Sequence, residues 1–449
     1  MPEVIKIKKG LDIKLKGLPD QKTEQFIAED IALKPTDFVG IFPKLFVKEG
    51  DKVRIGSPVF FDKYRDNIIH TSPVSGTVSE VRRGAKRRML EIKIRSDGKM
   101  DHVDFGQADP SALSREEIVE KLLKSGIWPH IRQRPYSVIA DPEDTPKSIH
   151  ISAFDSAPLA PDYDYTLDGE AKNFQLGIEA LSKLTTGKIY LGIRHGQTKS
   201  KTFLDARGVE IVPFEGPHPS GNVGTQIAKI DPINKGEIVW FLKPPAVVTI
   251  GKLFAEGKLD PYRTIAVTGS ELKKTGYYKV ISGTSVYDLI SGNLIKDDIR
   301  IISGNVLTGS RIEKIGHLGF YDYQLTVIPE GRYHKFFGWA APRIDKFSFS
   351  RSFFSWLMPS KRYRLDTNMN GGHRAFVMTG KFEQVFPFDI YPLQLIKSVM
   401  IEDIDEMEQL GIYEVDEEDF ALCEFIDTSK TEIQSVIRKG LDLMRKEMT

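Results

Sequence analysis

Between Val47 and Ile94 the hydrophobic positions come in short runs divided by glycines: VKEGDKVRIGSPVFF, a brief excursion, then TSPVSGTVSEVRRGAKRRMLEIKI. Val53, Ile55, Val59, Val78, Val81, Ile92 and Ile94 fill the runs, and Gly50, Gly56, Gly76 and Gly84 punctuate them. That spacing predicts strands and tight turns, hence a small β-sandwich. The rhythm then changes. SREEIVEKLLKSG carries a capping box, Ser114 with Glu117 three residues on, an apolar stripe of Ile118, Leu122 and Leu123, and a terminal Gly126, so it predicts a helix with both ends written in. YSVIA (136–140) and SIHIS (148–152) read as strands, and residues 171–184 as a helix with Phe174, Ile178 and Leu181 on one side. GKIYLGI, VEIVPF and EIVWFL follow as strands, interleaved with a helix over 247–257, and this alternation predicts a mainly parallel, Rossmann-like α/β sheet. From Pro387 the pattern is helical: Leu393, Ile396, Met400, Ile404 and Met407 recur at helix spacing, and TEIQSVIRKGLDLMRKE adds a final amphipathic helix.

With 449 residues the chain has room for about three domains. Its apolar runs stay short, Ile238 to Leu242 being typical, well below the ~20 residues of a spanning helix. The start, MPEVIKIKKGLDIKLKG, alternates Lys with Ile or Leu, a strand signal and not a secretory leader, so the expected location is cytoplasmic. Sixty-three basic against 62 acidic residues leave no general field for nucleic acid. The single cysteine, Cys423, excludes an intrachain disulfide and any thiolate-only zinc or iron-sulfur site.

The familiar catalytic motifs are missing as well. No G-x-G-x-x-G follows a predicted strand and no G-x-x-x-x-G-K-[ST] occurs, so no glycine loop exposes amides to a pyrophosphate. After the first helix stands GIWPHIRQRPYS, bulky and cationic through Trp128, Pro129, Arg132, Arg134 and Tyr136. It would obstruct a flavin phosphate but could line a pocket for a flat ring; domain packing by Trp128 and Tyr136 is the plainer reading. No histidine has another three or four residues away, no G-x-S-x-G occurs, and Cys423 lies within the apolar FALCEF. The ten carboxylates between Glu402 and Asp419 lack calcium-loop order and are expected to form a solvated helical face.

The Val47–Ile94 segment resembles the hammerhead of lipoyl and biotinyl carrier domains. A swinging-arm lysine would then be Lys63 in FDKYRD, which lacks the usual context, so an unmodified packing module is preferred. GPHPSGNVGTQIAKIDPINKGEIVW (216–240), GTVSEVRRGAKRRML, and the tail FPFDIYPLQLIKSV with LGIYEVDEEDFALCEF closely resemble the A subunit of the sodium-translocating NADH:quinone oxidoreductase (Na+-NQR) family, in the same order over nearly the whole chain. More remotely the architecture is similar to the C subunit of the Rnf complex and to the flavin- and NADH-binding subunit of respiratory complex I. Where those relatives carry a glycine-rich flavin loop this chain has Trp128 to Tyr136. Where they carry cluster cysteines it has Cys423 and then Asp427, a position at which other members of the family often keep a second cysteine.

The resemblance implies N-terminal strands with the hammerhead over 1–100, a Rossmann-like domain over 101–259, and a β-grasp, SLBB-like module over 260–330. An aromatic and basic connection over 331–386 and a degenerate iron-sulfur helical domain over 387–449 complete it. It further implies a peripheral subunit on the cytoplasmic face of the bacterial inner membrane, without bound flavin or metal, docking on the membrane-embedded B subunit, with quinone as substrate and with NADH and flavins handled by partner subunits. A flavin-dependent NADH dehydrogenase and a biotin or lipoyl carrier are the alternatives. The expected quinone contacts are Trp128, Ile131, Arg132, Arg134 and Tyr136, with a second wall of Phe38, Ile41 and Phe42. Between Lys335 and Arg364 aromatics alternate with Arg and Lys, so Phe347, Phe349, Phe353, Phe354 and Trp356 are expected at a partner or membrane interface, against the alternative of a satellite hydrophobic cluster.

Overall fold

A seven-stranded sheet organises the middle of the chain in the computed structural model, which describes residues 3–332, 336–338, 343–377 and 379–448. Ser148–Ser152 lies at its centre, with Lys188–Arg194 and then Glu210–Glu215 parallel on one side and Val239–Leu242 parallel on the other. Arg132–Arg134 runs antiparallel to Val239–Leu242 and pairs in turn with Val138–Ile139. Val239–Leu242 is buried on both faces and reads as an unbroken apolar run, while Ser148–Ser152 buries even its Ser148 and His150 side chains. The strand expected over 136–140 shrinks to Val138–Ile139, because Tyr136 and Ser137 adopt positive φ (77° and 52°) in the turn before it.

Helix Arg115–Ser125 begins at the predicted capping box, Ser114 N–H donating to Glu117 and Glu117 N–H to Ser114 Oγ, and stops at a left-handed Gly126. Helix Ala171–Ser182 buries Phe174, Ile178 and Leu181. Its neighbour, Pro244–Glu256, starts three residues ahead of the apolar stripe because two prolines occupy the first turn, where a missing N–H costs nothing. These two helices touch backbone to backbone. A Cβ on Gly177 would stand 2.1 Å from the Val247 carbonyl oxygen, and one on Gly251 only 1.7 Å from that of Asn173.

Residues 30–96 fold into a four-stranded and a three-stranded sheet. Their buried Val53, Ile55, Val59, Val78, Ile92 and Ile94 are continuous with the core of the central sheet, so the two modules share one apolar interior. Residues 262–329 supply five strands of a separate sheet, with helix Val286–Ile290 against its core. The chain's first residues serve other modules: Ile5–Lys6 extends the central sheet, Leu15 bridges Tyr363, and Thr23–Gln25 joins Gly276–Ile281. The predicted C-terminal stripe is two helices, Pro392–Met400 and Ile404–Gln409, broken where Asp403 caps the second; Met400 is thereby left exposed. Ala421–Ile426 holds a fully buried Cys423, and Ile433–Met448 closes the fold. Among the described residues no helix is long and apolar enough to cross a membrane.

The glycine contact gives a direct test of the packing. Gly251→Ala forces a methyl into the Asn173 carbonyl and is expected to destabilise by about 1–3 kcal/mol, although Ala is the better helix former by itself. Thermal melts read the sign, and a stabilised variant would refute the close contact.

Candidate functional site

Strand order places a crevice at the carboxyl ends of Ser148–Ser152 and Val239–Leu242, because the chain leaves the first toward one side of the sheet and reaches the second on the other. A cleft of about 250 Å³ opens there. Ser152, Phe154 and Asp155 line it with Phe241 and Lys243; His218 and Asn222 come from the loop before helix Val223–Ile230, and Val223 from its first position. Tyr321, Asp322 and Tyr323 reach in from the third module, and Asp416, Glu417 and Glu418 from the C-terminal domain. Three modules thus converge on one opening.

Arg132 is the expected ligand residue that reaches this cleft. Its guanidinium lies over Phe241 and Tyr321, 5.0 and 5.1 Å from the ring centroids, and 3.8 Å from Asp416. Trp128 and Ile131 lie beneath, fully buried; Trp128 donates its indole N–H to the Ala140 carbonyl (2.8 Å) and packs edge-on against Trp240. The Tyr321 hydroxyl donates to the Pro129 carbonyl (2.7 Å), which ties the Trp128–His130 turn to the cleft wall. Phe38 is buried behind that wall, against Phe320 and Tyr321.

The other expected residues lie elsewhere. Arg134 has no exposure, and its two terminal nitrogens bond to Asp419 (2.6 Å), Glu418 (3.1 Å) and the Glu414 carbonyl, so Arg132 is the member of the pair that faces the opening. Tyr136 faces a second cleft of about 660 Å³ with Tyr64, Tyr413 and Arg445. Phe42 is 57% exposed and packs on Tyr64, and Ile41 is half-buried beside the core of the first module. Lys63 is exposed in the turn that joins Pro58–Asp62 to Arg65–Thr71, its ammonium over the Tyr64 ring. Of the aromatic and basic segment, residues 333–335 and 339–342 lie outside the described set. Phe347 packs on Tyr363 and Phe425, Phe349 and Phe353 are half-buried, and Phe354 and Trp356 are about half exposed.

The acidic run departs from expectation: two of its later carboxylates, Asp416 and Asp419, are buried and not solvated. Asp416 and Asp419 are buried because three guanidinium groups meet them, those of Arg132, Arg134 and Arg438. Burial raises Asp416, but its hydrogen bond with Glu417 and the three arginines outweigh burial and hold its carboxyl well below the usual range. Burial, and then the neighbouring Asp416 charge, push Glu417 up. Burial likewise raises Glu418 and Asp419, against the pull of Arg134, so three of the four carboxyls beside these guanidinium groups shift toward their protonated form. The same arginines hold the Tyr136–Ser137 turn. Arg438 donates to the Tyr136 carbonyl (2.9 Å), Arg132 to that of Ser137 (3.2 Å), and the Ser137 hydroxyl to Asp416. Each left-handed residue there costs of order 1–2 kcal/mol, which these bonds offset.

Sequence reading missed His218, Asn222, Lys243, Tyr321 and Tyr323. The available signal was GPHPSGNVG, whose Gly224 leaves room for the buried pair: a Cβ there would lie 2.5 Å from both the Arg134 guanidinium and Asp419. His218 shares a hydrogen bond with Ser156 (3.0 Å), and burial pushes its imidazole down to about 4. His130, on the opposite side, is pushed to about 3, first by burial and then by Arg263 and His70. Both are neutral at pH 7, so the cleft offers neutral imidazoles, a guanidinium and aromatic walls: a set that can hold a flat ring and donate to its carbonyl oxygens. Among the described residues no His, Cys, Asp and Glu side chains gather as a metal site.

Fold and cleft define a multidomain α/β protein with a ligand-sized crevice at the head of its parallel sheet. Family models match it in three stretches: an NqrA N-terminal barrel-sandwich hybrid domain over residues 5–97, an NqrA second alpha/beta domain over 113–259, and an NQRA C-terminal (SLBB) domain over 264–314. Curated relatives named as the A subunit of Na(+)-translocating NADH-quinone reductase include one from Neisseria meningitidis serogroup B, 37% identical over 99% of this chain and all of its own length. Another, from Rhodopirellula baltica, is 36% identical over 99% of this chain and 98% of its own. The chain belongs to this family, the A subunits of Na(+)-translocating NADH-quinone reductase. Solved structures of an NAD+-reducing [NiFe]-hydrogenase, H2-reduced and air-oxidized, align at TM-scores of 0.41 and 0.39 with 11% and 10% identity. They cover 75% and 74% of this chain, which spans 62% and 61% of theirs.

The upward shift of the Glu417 carboxyl has a measurable consequence. A carboxyl whose folded value lies above its unfolded one stabilises fully in acid and loses that contribution as pH rises past 4.5. Glu417→Gln, permanently neutral, is expected to melt near the parent at about pH 5 and above it at about pH 8.5. A melting gap that does not change with pH would place the retained proton elsewhere.

Proposed function

We propose that this chain is a peripheral subunit of a respiratory, sodium-pumping NADH:quinone oxidoreductase, at the cytoplasmic face of the bacterial inner membrane, where it docks on the membrane-embedded B subunit, and that it contributes to quinone binding. NADH oxidation, the flavins and the sodium path belong to its partner subunits in this reading. Its main support is likeness along the whole chain to relatives that bear the subunit's name. The quinone ring enters the cleft at the head of the parallel sheet, a Rossmann-like arrangement, with Phe154, Phe241, Tyr321 and Tyr323 as walls. Arg132 donates to a ring carbonyl, while Trp128, Ile131 and Phe38 hold the wall from behind and Arg134 ties its strand to the C-terminal domain. The first module acts as a lipoyl-like packing unit without an acyl arm.

The alternative of a stand-alone flavin enzyme has the Trp128–Tyr136 segment against it, since side chains there take the room a phosphate-binding glycine loop would need. The purified chain is therefore expected to show no visible flavin absorbance and to release no stoichiometric FMN on denaturation; FMN at one per chain would favour the alternative.

Two substitutions, made in the assembled complex, separate ligand contact from support. Arg132→Ala is expected to weaken quinone binding about tenfold or more, the worth of one charge-assisted hydrogen bond, and, because Arg132 also meets Asp416 and the Ser137 carbonyl, to cost about 1–2 kcal/mol of stability, less than the loss at Trp128. Trp128→Ala empties a fully buried site and is expected to cost ~3–5 kcal/mol of stability. Quinone titration and melts on both read the outcome. Unaltered quinone affinity in a folded Arg132→Ala complex would move the site away from this cleft.

A further inference from the structure

Most large apolar side chains that a fold exposes are scattered singly, but Phe354, Trp356, Leu357 and Met358 are 55%, 51%, 61% and 41% exposed within one short turn. The turn is not loose. Its Ser355 is buried and donates to the Lys346 carbonyl, and the Tyr363 hydroxyl donates to the Ser355 carbonyl (3.3 Å), so the backbone is pinned from below while the apolar side chains face outward. Ile344, 51% exposed, lies beside it, because Lys361 Nζ donates to the Ile344 carbonyl (2.6 Å).

A broad groove of about 950 Å³ adjoins this turn, lined by Phe353, Lys361 and Tyr363 among others. Seven cationic side chains line it, Lys16, Lys346, Lys361, Arg362, Arg364, Lys381 and Lys430, against the carboxylates of Asp345 and Asp366. Arg364 is paired with Glu271 (2.7 Å). The chain as a whole is nearly neutral at +1, so this concentration of positive charge is local. Ser348, Ser350 and Ser352 add hydroxyl groups along the same groove.

An exposed Trp and Phe beside Leu and Met, rimmed by Lys and Arg, matches the chemistry of a bilayer interface. The aromatic and aliphatic groups enter the region between headgroups and acyl chains, and the cations meet phosphates. We infer that the Phe354–Met358 turn and the adjoining basic groove bind an anionic phospholipid surface. The inference rests on the membrane-peripheral reading above, and it adds a lipid contact made by this chain itself, independent of docking on an integral membrane partner. A protein partner would favour a large apolar face with few cations at its centre; the lysines and arginines of the adjoining groove favour lipid phosphate.

Flotation of the purified full chain with vesicles tests it in the absence of every other component of the complex. The chain is expected to float with phosphatidylcholine vesicles containing phosphatidylglycerol, to float much less with phosphatidylcholine alone, and to be released by added salt. Trp356→Ala and the Lys361→Glu/Arg362→Glu double variant alter exposed or half-buried side chains. Each is expected to weaken flotation, the double variant by roughly fivefold or more per reversed charge, with unchanged melting temperatures. Absence of flotation, or flotation that neither variant alters, overturns the inference. Capture of the chain by a solubilised integral membrane partner in a Trp356-dependent way, with no vesicle binding, assigns the face to protein and overturns it too. Assembly of the complex reads separately from flotation: a chain that assembles but ignores vesicles refutes the lipid contact alone.

Discussion

The buried pairing of Arg134 with Asp419 is the interaction on which the geometry of the cleft depends. Arg134 belongs to an antiparallel strand near the edge of the central sheet and Asp419 to the C-terminal domain, 285 positions later, yet they meet at 2.6 Å with neither side chain exposed. A charge placed so deep is tolerable only while its partner is present, since removal of one member leaves several kcal/mol of uncompensated desolvation. The pair therefore specifies where the helical domain sits, and glycine at position 224 is the space it occupies. Arg132, two residues before Arg134, shares its side of the strand and reaches the same acidic cluster through Asp416. Fixing one guanidinium thus fixes the direction of the other, and with it the polar wall of the opening.

Local signals carried most of the elements. The capping box at Ser114 and Glu117, the apolar stripe expected over 171–184 and the run EIVWFL each state their structure through neighbours a few residues away, and they appear as Arg115–Ser125, Ala171–Ser182 and Val239–Leu242. Of the expected contacts only Arg132 lines the cleft; Trp128 is buried beneath it and Tyr136 faces another opening. What stayed hidden came from long-range partners. Asp416 and Asp419 read as part of a solvated acidic face because nothing nearby in sequence neutralises them; their counter-charges arrive from Arg132, Arg134 and Arg438. The strand expected over 136–140 failed at its first residues for a related reason, since Arg132 and the distant Arg438 hold Tyr136 and Ser137 in a left-handed turn. Tyr321 and Tyr323 belong to another module, and no periodicity joins them to a strand end some eighty residues earlier.

A parallel sheet of this order presents a crevice at its carboxyl edge whatever fills it, because strand order alone creates the gap. In nucleotide-binding versions, exposed amides of a glycine turn meet a phosphate. Here the surroundings of the gap are built otherwise: side-chain guanidinium groups face carboxylates, and the rings of Phe241 and Tyr321 both lie against one guanidinium. The difference decides what the opening can accept. A dianionic phosphate would add negative charge beside the ionised Asp416, whereas an uncharged ring with carbonyl oxygens adds acceptors without charge and stacks against Tyr and Phe. The same balance explains why burial of the cluster is compatible with an open cleft. Arg132 compensates Asp416 on its inner side and still lines the opening, so a neutral ligand can take a hydrogen bond there without stripping the cluster of its counter-charge.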